Sequence, residues 1–274
     1  MKVRARGLDF DVRTGGPQTG RPMLLLHGFP QHGGEWDAVV PALHAAGVRT
    51  YAPDQRGYSP GARPTDVDTY RMSECVADAV ALLDALGVGE VDVVGHDWGS
   101  VVGWHLAVDH AERVRTFTAV SVPHPAAIGN ARRVDDDQRQ RSEYMRLFAM
   151  EGKAEDVLLS EDARRLRALF TPLPPEQVET YVRPLLEPGA LTGALNWYRR
   201  LERANLGPAR VPVTYLWGNR DPAVGRIAAL ACGEFVEAGL DYRFVELEGV
   251  SHWVPDEAPE TVATEVRARV KNYP

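Results

Sequence analysis

Three side chains, Asp97, Asp221 and His252, stand where a covalent hydrolytic mechanism would need a nucleophile, an acid and a base. In VDVVGHDWGSVVG, residues 91–103, Asp97 lies two residues after Gly95 and two before Gly99. That spacing, after a buried strand and before a helix, belongs to a tight turn that presents a nucleophile at its apex. The flanking glycines are a steric requirement, because a side chain at either position would strike the neighbouring strand or helix. Asp is also a favoured helix N-cap, so the motif alone is equally compatible with a capping role. The later residues shift that balance. LWGNRDP puts Asp221 just past one apolar run, and GVSHWVP puts His252 past the next, in the order nucleophile, acid, base. The stretch HGFP, His27 to Pro30, ends an earlier apolar run. It suits a loop whose Phe29 backbone N–H, with that of Trp98, faces developing negative charge. A cis Phe29–Pro30 bond is compatible with that loop.

The elements that must position these residues are short apolar runs alternating with helix-period segments, the pattern of a parallel sheet covered by helices. PMLLLHG, RTYAP, VDVVGH and RTFTAVSV read as strands, and VRARGLDFDVR as an antiparallel hairpin or edge pair. EWDAVVPALHAAG and TYRMSECVADAVALLDALGV read as amphipathic helices; in the second, Met72, Val76, Ala79, Leu83 and Leu86 recur at three- and four-residue steps. From about Ala126 to Leu206 the alternation stops, and an arginine-rich, helix-like stretch is broken by TPLPPEQ and LEPGA. The strand VPVTYLWGNRD, a helix in RIAALACGEFVEAG, the strand YRFVELEG and a last helix from about Pro259 follow. The expected organisation is a core of residues 1–124 and 207–274 with a helical cap, 125–206, inserted late.

On HGFPQ, APDQRGYSP, GHDWGS, SVPHP, LNWYRR, WGNRDP and SHWVPDEAPE, the chain resembles the α/β-hydrolase fold enzymes, and within them the epoxide hydrolases. The resemblance spans nearly the whole chain. It implies a mostly parallel central sheet flanked by helices with an inserted cap. It also implies two cap tyrosines, which fall on Tyr144 of EYMRLFAMEG and Tyr198 of ALNWYRR. Met145, where well-known members often carry a polar residue, implies a more apolar pocket lined also by Phe29, Pro30 and Trp98.

What the resemblance implies chemically explains an aspartate at the apex. An oxirane carbon is saturated, so a serine would leave an ether that water does not readily cleave, whereas a carboxylate leaves a hydrolysable ester. Asp97 would open the ring while Tyr144 and Tyr198 hydrogen-bond the expelled oxygen. His252, oriented by Asp221, would then activate water. The expected partners are a small apolar epoxide and water, with no cofactor.

Two other readings stand beside this one. A haloalkane or haloacid dehalogenase would share the Asp nucleophile. Against it, many such enzymes carry Asn where Phe29 stands, and a halide leaving group needs no proton from paired tyrosines. A non-catalytic ligand-binding receptor would share only the fold. A serine esterase is disfavoured because Ser100 lies beyond the second glycine. His105 and His110 lack metal-ligand spacing, and Gly95, Gly99 and Gly103 lack dinucleotide-loop spacing.

Composition narrows the classes further. With 274 residues, 44% hydrophobic, and a net charge of −7 without a basic stripe, the chain reads as a globule with no nucleic-acid partner. No apolar run approaches a membrane span and MKVRARGLDFDV lacks the apolar block of a signal peptide, so the expectation is a cytoplasmic protein without membrane partners. Cys75 and Cys232 lie in apolar helix-like patterns, which predicts two reduced, buried thiols. ARRVDDDQRQR mixes both charge signs and reads as a solvated helix face or loop. Monomer and homodimer are equally compatible with these residues.

Overall fold

The N-terminal alternation folds as the expected hairpin: β1 (Lys2–Ala5) and β2 (Leu8–Gly15) pair antiparallel. The turn between them holds Arg6 and Gly7 at φ 49° and 81°, a two-residue turn whose twist matches the strands it joins. The computed structural model describes residues 1–202 and 205–273. Residues 203 and 204 of the expected 125–206 insertion, and Pro274, lie outside the described residues.

The remaining strands are β3 (Arg21–Leu26), β4 (Val48–Pro53), β5 (Val91–His96), β6 (Val114–Val120), β7 (Val213–Gly218) and β8 (Tyr242–Leu247). They form one eight-stranded sheet in the order β1-β2-β4-β3-β5-β6-β7-β8. β2 runs antiparallel to β4, and every pair from β4 to β8 is parallel. All six residues of β5 and of β7 are buried, as central strands covered on both faces must be. Successive side chains of β3 divide between two cores: Leu24 and Leu26 join the larger apolar cluster, Met23 and Leu25 the smaller.

Flanking the sheet are α1 (Val40–Ala45), α2 (Met72–Ala85) and α3 (Trp98–Asp109). α2 and α3 pack on one face through Val76, Leu83, Val102 and Leu106, and α1 packs on the other through Leu43. The helix expected over EWDAVVPALHAAG is shorter than its pattern. Residues Gly33–Trp36 form a 3-10 turn, and α1 begins beside Pro41, which lacks an N–H and fits only a first turn.

Between β6 and β7 the described residues form six helices: α4 (Pro125–Val134), α5 (Asp136–Arg141), α6 (Tyr144–Phe148), α7 (Lys153–Ala168), α8 (Pro175–Leu185) and α9 (Ala190–Arg199). α7 is broken at Ser160–Ala163. α10 (Arg226–Leu230) ends after five residues in a 3-10 turn, so RIAALACGEFVEAG is only partly helical. α11 (Val254–Glu257) and α12 (Pro259–Asn272) close the chain, the latter adding Val262 and Val266 to the smaller core.

Cys75 and Cys232 are free and buried, as the apolar patterns around them predict. Among the described residues no helix is long and apolar enough to cross a membrane.

Order along the sheet locates the site. The chain steps from β3 to β4 on one side and then to β5 on the other, so the strand order reverses between β3 and β5. In parallel α/β sheets the crevice at the carboxyl ends of such a pair is where ligands bind. HGFP follows β3, and Asp97 follows β5.

Candidate active site

Asp97 occupies φ 49°, ψ −117° between the last residue of β5 and the first of α3. The turn tolerates no side chain beside it. A Cβ on Gly99 would lie 2.0 Å from the carbonyl oxygen of Leu26, and one on Gly95 would lie 2.3 Å from that of Gly99. The Asp97 carboxylate does not cap α3. It turns instead into the crevice, where Oδ1 accepts the Phe29 backbone N–H at 2.8 Å and Oδ2 lies 3.4 Å from His252 Nε2. The Trp98 N–H, expected beside that of Phe29, makes no hydrogen bond to this carboxylate among the described residues. The Phe29–Pro30 bond is cis.

Asp221 and His252 meet Asp97 from the ends of β7 and β8. His252 Nδ1 donates to Asp221 Oδ2 at 2.8 Å, leaving Nε2 to face Asp97. Asp221 Oδ1 accepts the backbone N–H groups of Ala223 (2.7 Å) and Val224 (3.0 Å), so the buried acid is held on both oxygens. Burial pulls the His252 imidazole down, but the adjacent Asp221 and Asp97 outweigh it and push its pKa up to about 10. Burial acts on Asp97 in the opposite sense, and the hydrogen bond and charge of His252 hold its carboxyl below the usual value. The acid loop is gripped from α5. Gln138 Nε2 donates to the Ala223 carbonyl at 2.8 Å, its Oε1 accepts the Gly225 N–H at 2.8 Å, and Arg141 donates to the Asp221 carbonyl. ARRVDDDQRQR is therefore not simply a solvated face, since Gln138 is fully buried against the core.

Tyr144 on α6 and Tyr198 on α9 come together in an aromatic cluster. The Tyr198 ring centre lies 5.1 Å from that of Trp98, 5.2 Å from Phe29 and 6.2 Å from Tyr144. Burial, reinforced by Asp97, raises both phenols above their usual pKa, so both carry their protons at neutral pH. α9 reaches this position by close backbone contact: Gly193 meets the Arg56–Gly57 loop, and a Cβ on it would lie 2.7 Å from the Gly57 carbonyl oxygen. The Trp197 indole donates to the Arg56 carbonyl at 2.8 Å beside it.

The other expected pocket residues are placed less uniformly. Trp98 and Phe29 belong to the ring cluster. Pro30 is buried and lines a cleft between the core and α8 with Tyr58 and Tyr181. Met145 is half-buried on α6, packed against the larger core.

Two features had no clear signal in the sequence. Phe148, four residues after Tyr144, packs its ring 5.1 Å from Tyr198 and 5.2 Å from Phe29; the helical spacing from Tyr144 was the available clue. Beneath His252 lies a buried pair, His96 and Glu35. His96 Nε2 is 2.9 Å from the His252 carbonyl oxygen, which can only accept, so Nε2 carries a proton. Burial lowers His96 to about 4, leaving it neutral, so Nδ1 must accept. Glu35 Oε2, 3.2 Å from that nitrogen, is then the donor, a protonated carboxyl whose pKa burial drives well above the usual range. His96 adjoins Asp97 in sequence, but Glu35 is 61 residues away with no pattern joining the two.

A model of the alpha/beta hydrolase fold family matches residues 21–259. The chain is 31% identical to the AB hydrolase superfamily protein YfhM of Bacillus subtilis, over 98% of this chain and 97% of that one. It is 32% identical to epoxide hydrolase A of Mycobacterium tuberculosis, over 92% and 90% respectively. Among solved structures, epoxide hydrolase A from Mycobacterium thermoresistibile superposes with a TM-score of 0.87 at 26% identity, covering 100% of this chain and 98% of that one. The Bacillus megaterium epoxide hydrolase in complex with an inhibitor gives 0.90 at 25%, covering 99% and 100%. The chain belongs to the alpha/beta hydrolase fold family, and it is a hydrolase.

Proposed function

We propose that the protein hydrolyses epoxides to vicinal diols through an ester on Asp97, with residues 125–206 acting as the cap. The observation that carries this reading is the pairing of two chemistries around one carboxylate. Asp97 faces His252, which Asp221 holds, and the protonated phenols of Tyr144 and Tyr198 belong to the ring cluster around its neighbours Trp98 and Phe29. The epoxide hydrolases among the relatives and solved structures support the same substrate class.

In the first half-reaction Asp97 attacks an oxirane carbon from behind its C–O bond. Oδ2 is the attacking atom, because Oδ1 is engaged by the Phe29 N–H. The C–O bond breaks, and the leaving oxygen takes its hydrogen bonds, and then a proton, from Tyr144 and Tyr198. Esterification removes the negative charge from Asp97. His252 then loses one of the two carboxylates that raise its pKa, and becomes a competent base only when one is needed. In the second half, His252 Nε2 takes a proton from water and the hydroxide attacks the ester carbon of Asp97. The resulting oxyanion sits against the Phe29 N–H. Collapse expels the second diol oxygen, which takes the proton from His252. The proton left on the Asp97 carboxyl then passes to His252 and restores the resting pair, the proton that His252 released on esterification having replaced the one given up by the phenol.

Mass spectrometry of a His252→Gln variant treated with styrene oxide tests this directly. The peptide containing Asp97 should gain the mass of the epoxide, because general-base catalysis worth ~10²- to 10⁴-fold is lost from the second half only. Asp97→Asn should give neither adduct nor diol. Wild-type turnover with no adduct in the His252→Gln protein would refute the ester.

One observation keeps the dehalogenase reading in the test. The Trp98 indole N–H beside the nucleophile is buried and, among the described residues, makes no hydrogen bond, so it is a donor that a halide could use. Halide release from a bromoalkane, without diol from the epoxide, would favour that reading, and no product from either would favour a receptor.

A further inference from the structure

We propose that Asp256 is a positioning residue for the hydrolytic half-reaction, clamping together the loop of the base, the oxyanion loop and cap helix α8. The proposal rests on the ester mechanism above for its kinetic consequence, and on geometry alone for the clamp.

Asp256 lies on α11, four residues after His252, and three neutral donors from two other elements converge on its carboxylate. Oδ2 accepts Gln31 Nε2 at 2.7 Å. Oδ1 accepts the Tyr181 hydroxyl at 2.6 Å and also Gln177 Nε2. Gln31 is two residues past Phe29, whose N–H faces Asp97 Oδ1, and it is fully buried. Gln177 and Tyr181 are one helical turn apart on α8. A second path runs from α8 to the base through stacked rings: Tyr181 on Phe170 at 5.4 Å, Phe170 on Trp253 at 5.0 Å, and Trp253 edge-on to His252 at 5.1 Å.

Hydrogen bonds to a charged acceptor are stronger than neutral ones, and two carboxylate oxygens can serve three donors at once. An amide in the same place has one acceptor atom and turns its own N–H groups towards a donor. His252 and the Phe29 N–H act together only when water attacks the ester, so loosening their mutual position slows that step. Ring opening depends on Asp97 and on tyrosines carried by α6 and α9, which Asp256 does not touch.

Kinetics separates the two halves. The ratio kcat/KM reports binding and ester formation, whereas kcat and KM both fall in proportion once ester hydrolysis limits turnover. Asp256→Asn should lower kcat and KM together by about tenfold, the loss of one charge-assisted bond, with kcat/KM held within about twofold. Rapid-quench mass spectrometry should find a larger fraction of enzyme as the Asp97 ester at steady state. Gln31→Met, a near-isosteric change at a buried site, should shift the same quantities in the same direction. A fall in kcat/KM that matches the fall in kcat, or an ester fraction no higher than in wild type, would overturn the positioning role.

Hydrogen exchange on the resting proteins reads the clamp without any substrate. Amides of residues 29–34 and 175–185 should exchange faster in Asp256→Asn and Tyr181→Phe than in wild type, and unchanged exchange would overturn the clamp itself. A wild type that never forms an ester with any epoxide would instead defeat the ester mechanism, and the exchange result would still decide the clamp.

Discussion

At the scale of single residues, the site depends on placing a charge where a side chain is costly to hold. Asp97 has φ 49° and ψ −117°, a conformation worth about 1–3 kcal/mol of strain for a residue with a Cβ. The fold sustains it by hydrogen-bonding Oδ1 to the Phe29 N–H, setting Oδ2 beside His252 and packing glycines on either side. The same charge sets the protonation of His252. With its pKa raised to about 10 from the ordinary 6.5, the folded imidazole binds its proton more tightly than the unfolded chain does. Its contribution to stability is therefore fully present below about pH 6.5 and lost as pH rises through about 10. Asp97→Asn removes one of the two carboxylates and should lower the midpoint of the His252 titration, followed by NMR of the ring protons. Identical midpoints in the two proteins would mean that Asp97 does not hold the proton on His252, and that esterification cannot release it. Asp97, Asp221 and His252, which the fold brings together, were legible as candidates because each closely follows a segment that reads as a strand. The Glu35–His96 pair and the Asp256 clamp were not, since their partners lie 61 to 225 residues apart and leave no period to read.

Elements were legible in proportion to how far local alternation decides their burial. β3, β5, β6 and β7 were read from apolar runs, and α2 from its three- and four-residue spacing. The start of α1 beside Pro41, the early end of α10 and the break in α7 are not encoded by a periodic pattern. The contact that carries Tyr198 to the site is of this second kind, because nothing near Gly193 in sequence points to Gly57. A comparison of two glycines tests it. Gly193→Ala would place a methyl 2.7 Å from a backbone oxygen and should destabilise by about 1–3 kcal/mol while moving Tyr198 and slowing ring opening. Gly129→Ala, on α4 with nothing within 4 Å, should stabilise by about 0.5–1 kcal/mol. Urea midpoints measured for both proteins give the answer, and equal effects would mean that α9 is not seated by backbone contact.

Over the whole molecule, the sheet with its flanking helices and the helices between β6 and β7 share the larger apolar cluster. The larger cluster runs from Leu24, Val91 and Val102 of the sheet and its helices to Phe148, Leu158, Phe170 and Leu195 in the segment between β6 and β7. The helices between β6 and β7 therefore have no interior wholly their own, whereas the sheet keeps a second cluster, with Met23, Leu25 and Val262, on its other face. Polar contacts cross the same boundary at several places: Gln138 and Arg141 on the acid loop, Asp256 on α8, and Trp197 on the Arg56 carbonyl. The two ends of the helical segment are tied as well, His124 Nε2 just before α4 lying 3.0 Å from the Gly207 carbonyl oxygen beyond α9. Parts joined by a small polar interface unfold separately, whereas parts sharing one buried cluster lose their packing together. Thermal unfolding should therefore be a single transition, with the calorimetric enthalpy equal to the van't Hoff value. Near-ultraviolet circular dichroism, which senses Trp98 and Trp197 across the boundary, should follow the same curve as the far-ultraviolet signal of the helices. Two resolved transitions, the lower one abolishing activity while the sheet persists, would mean that the cap is a separately stable lid resting on the core.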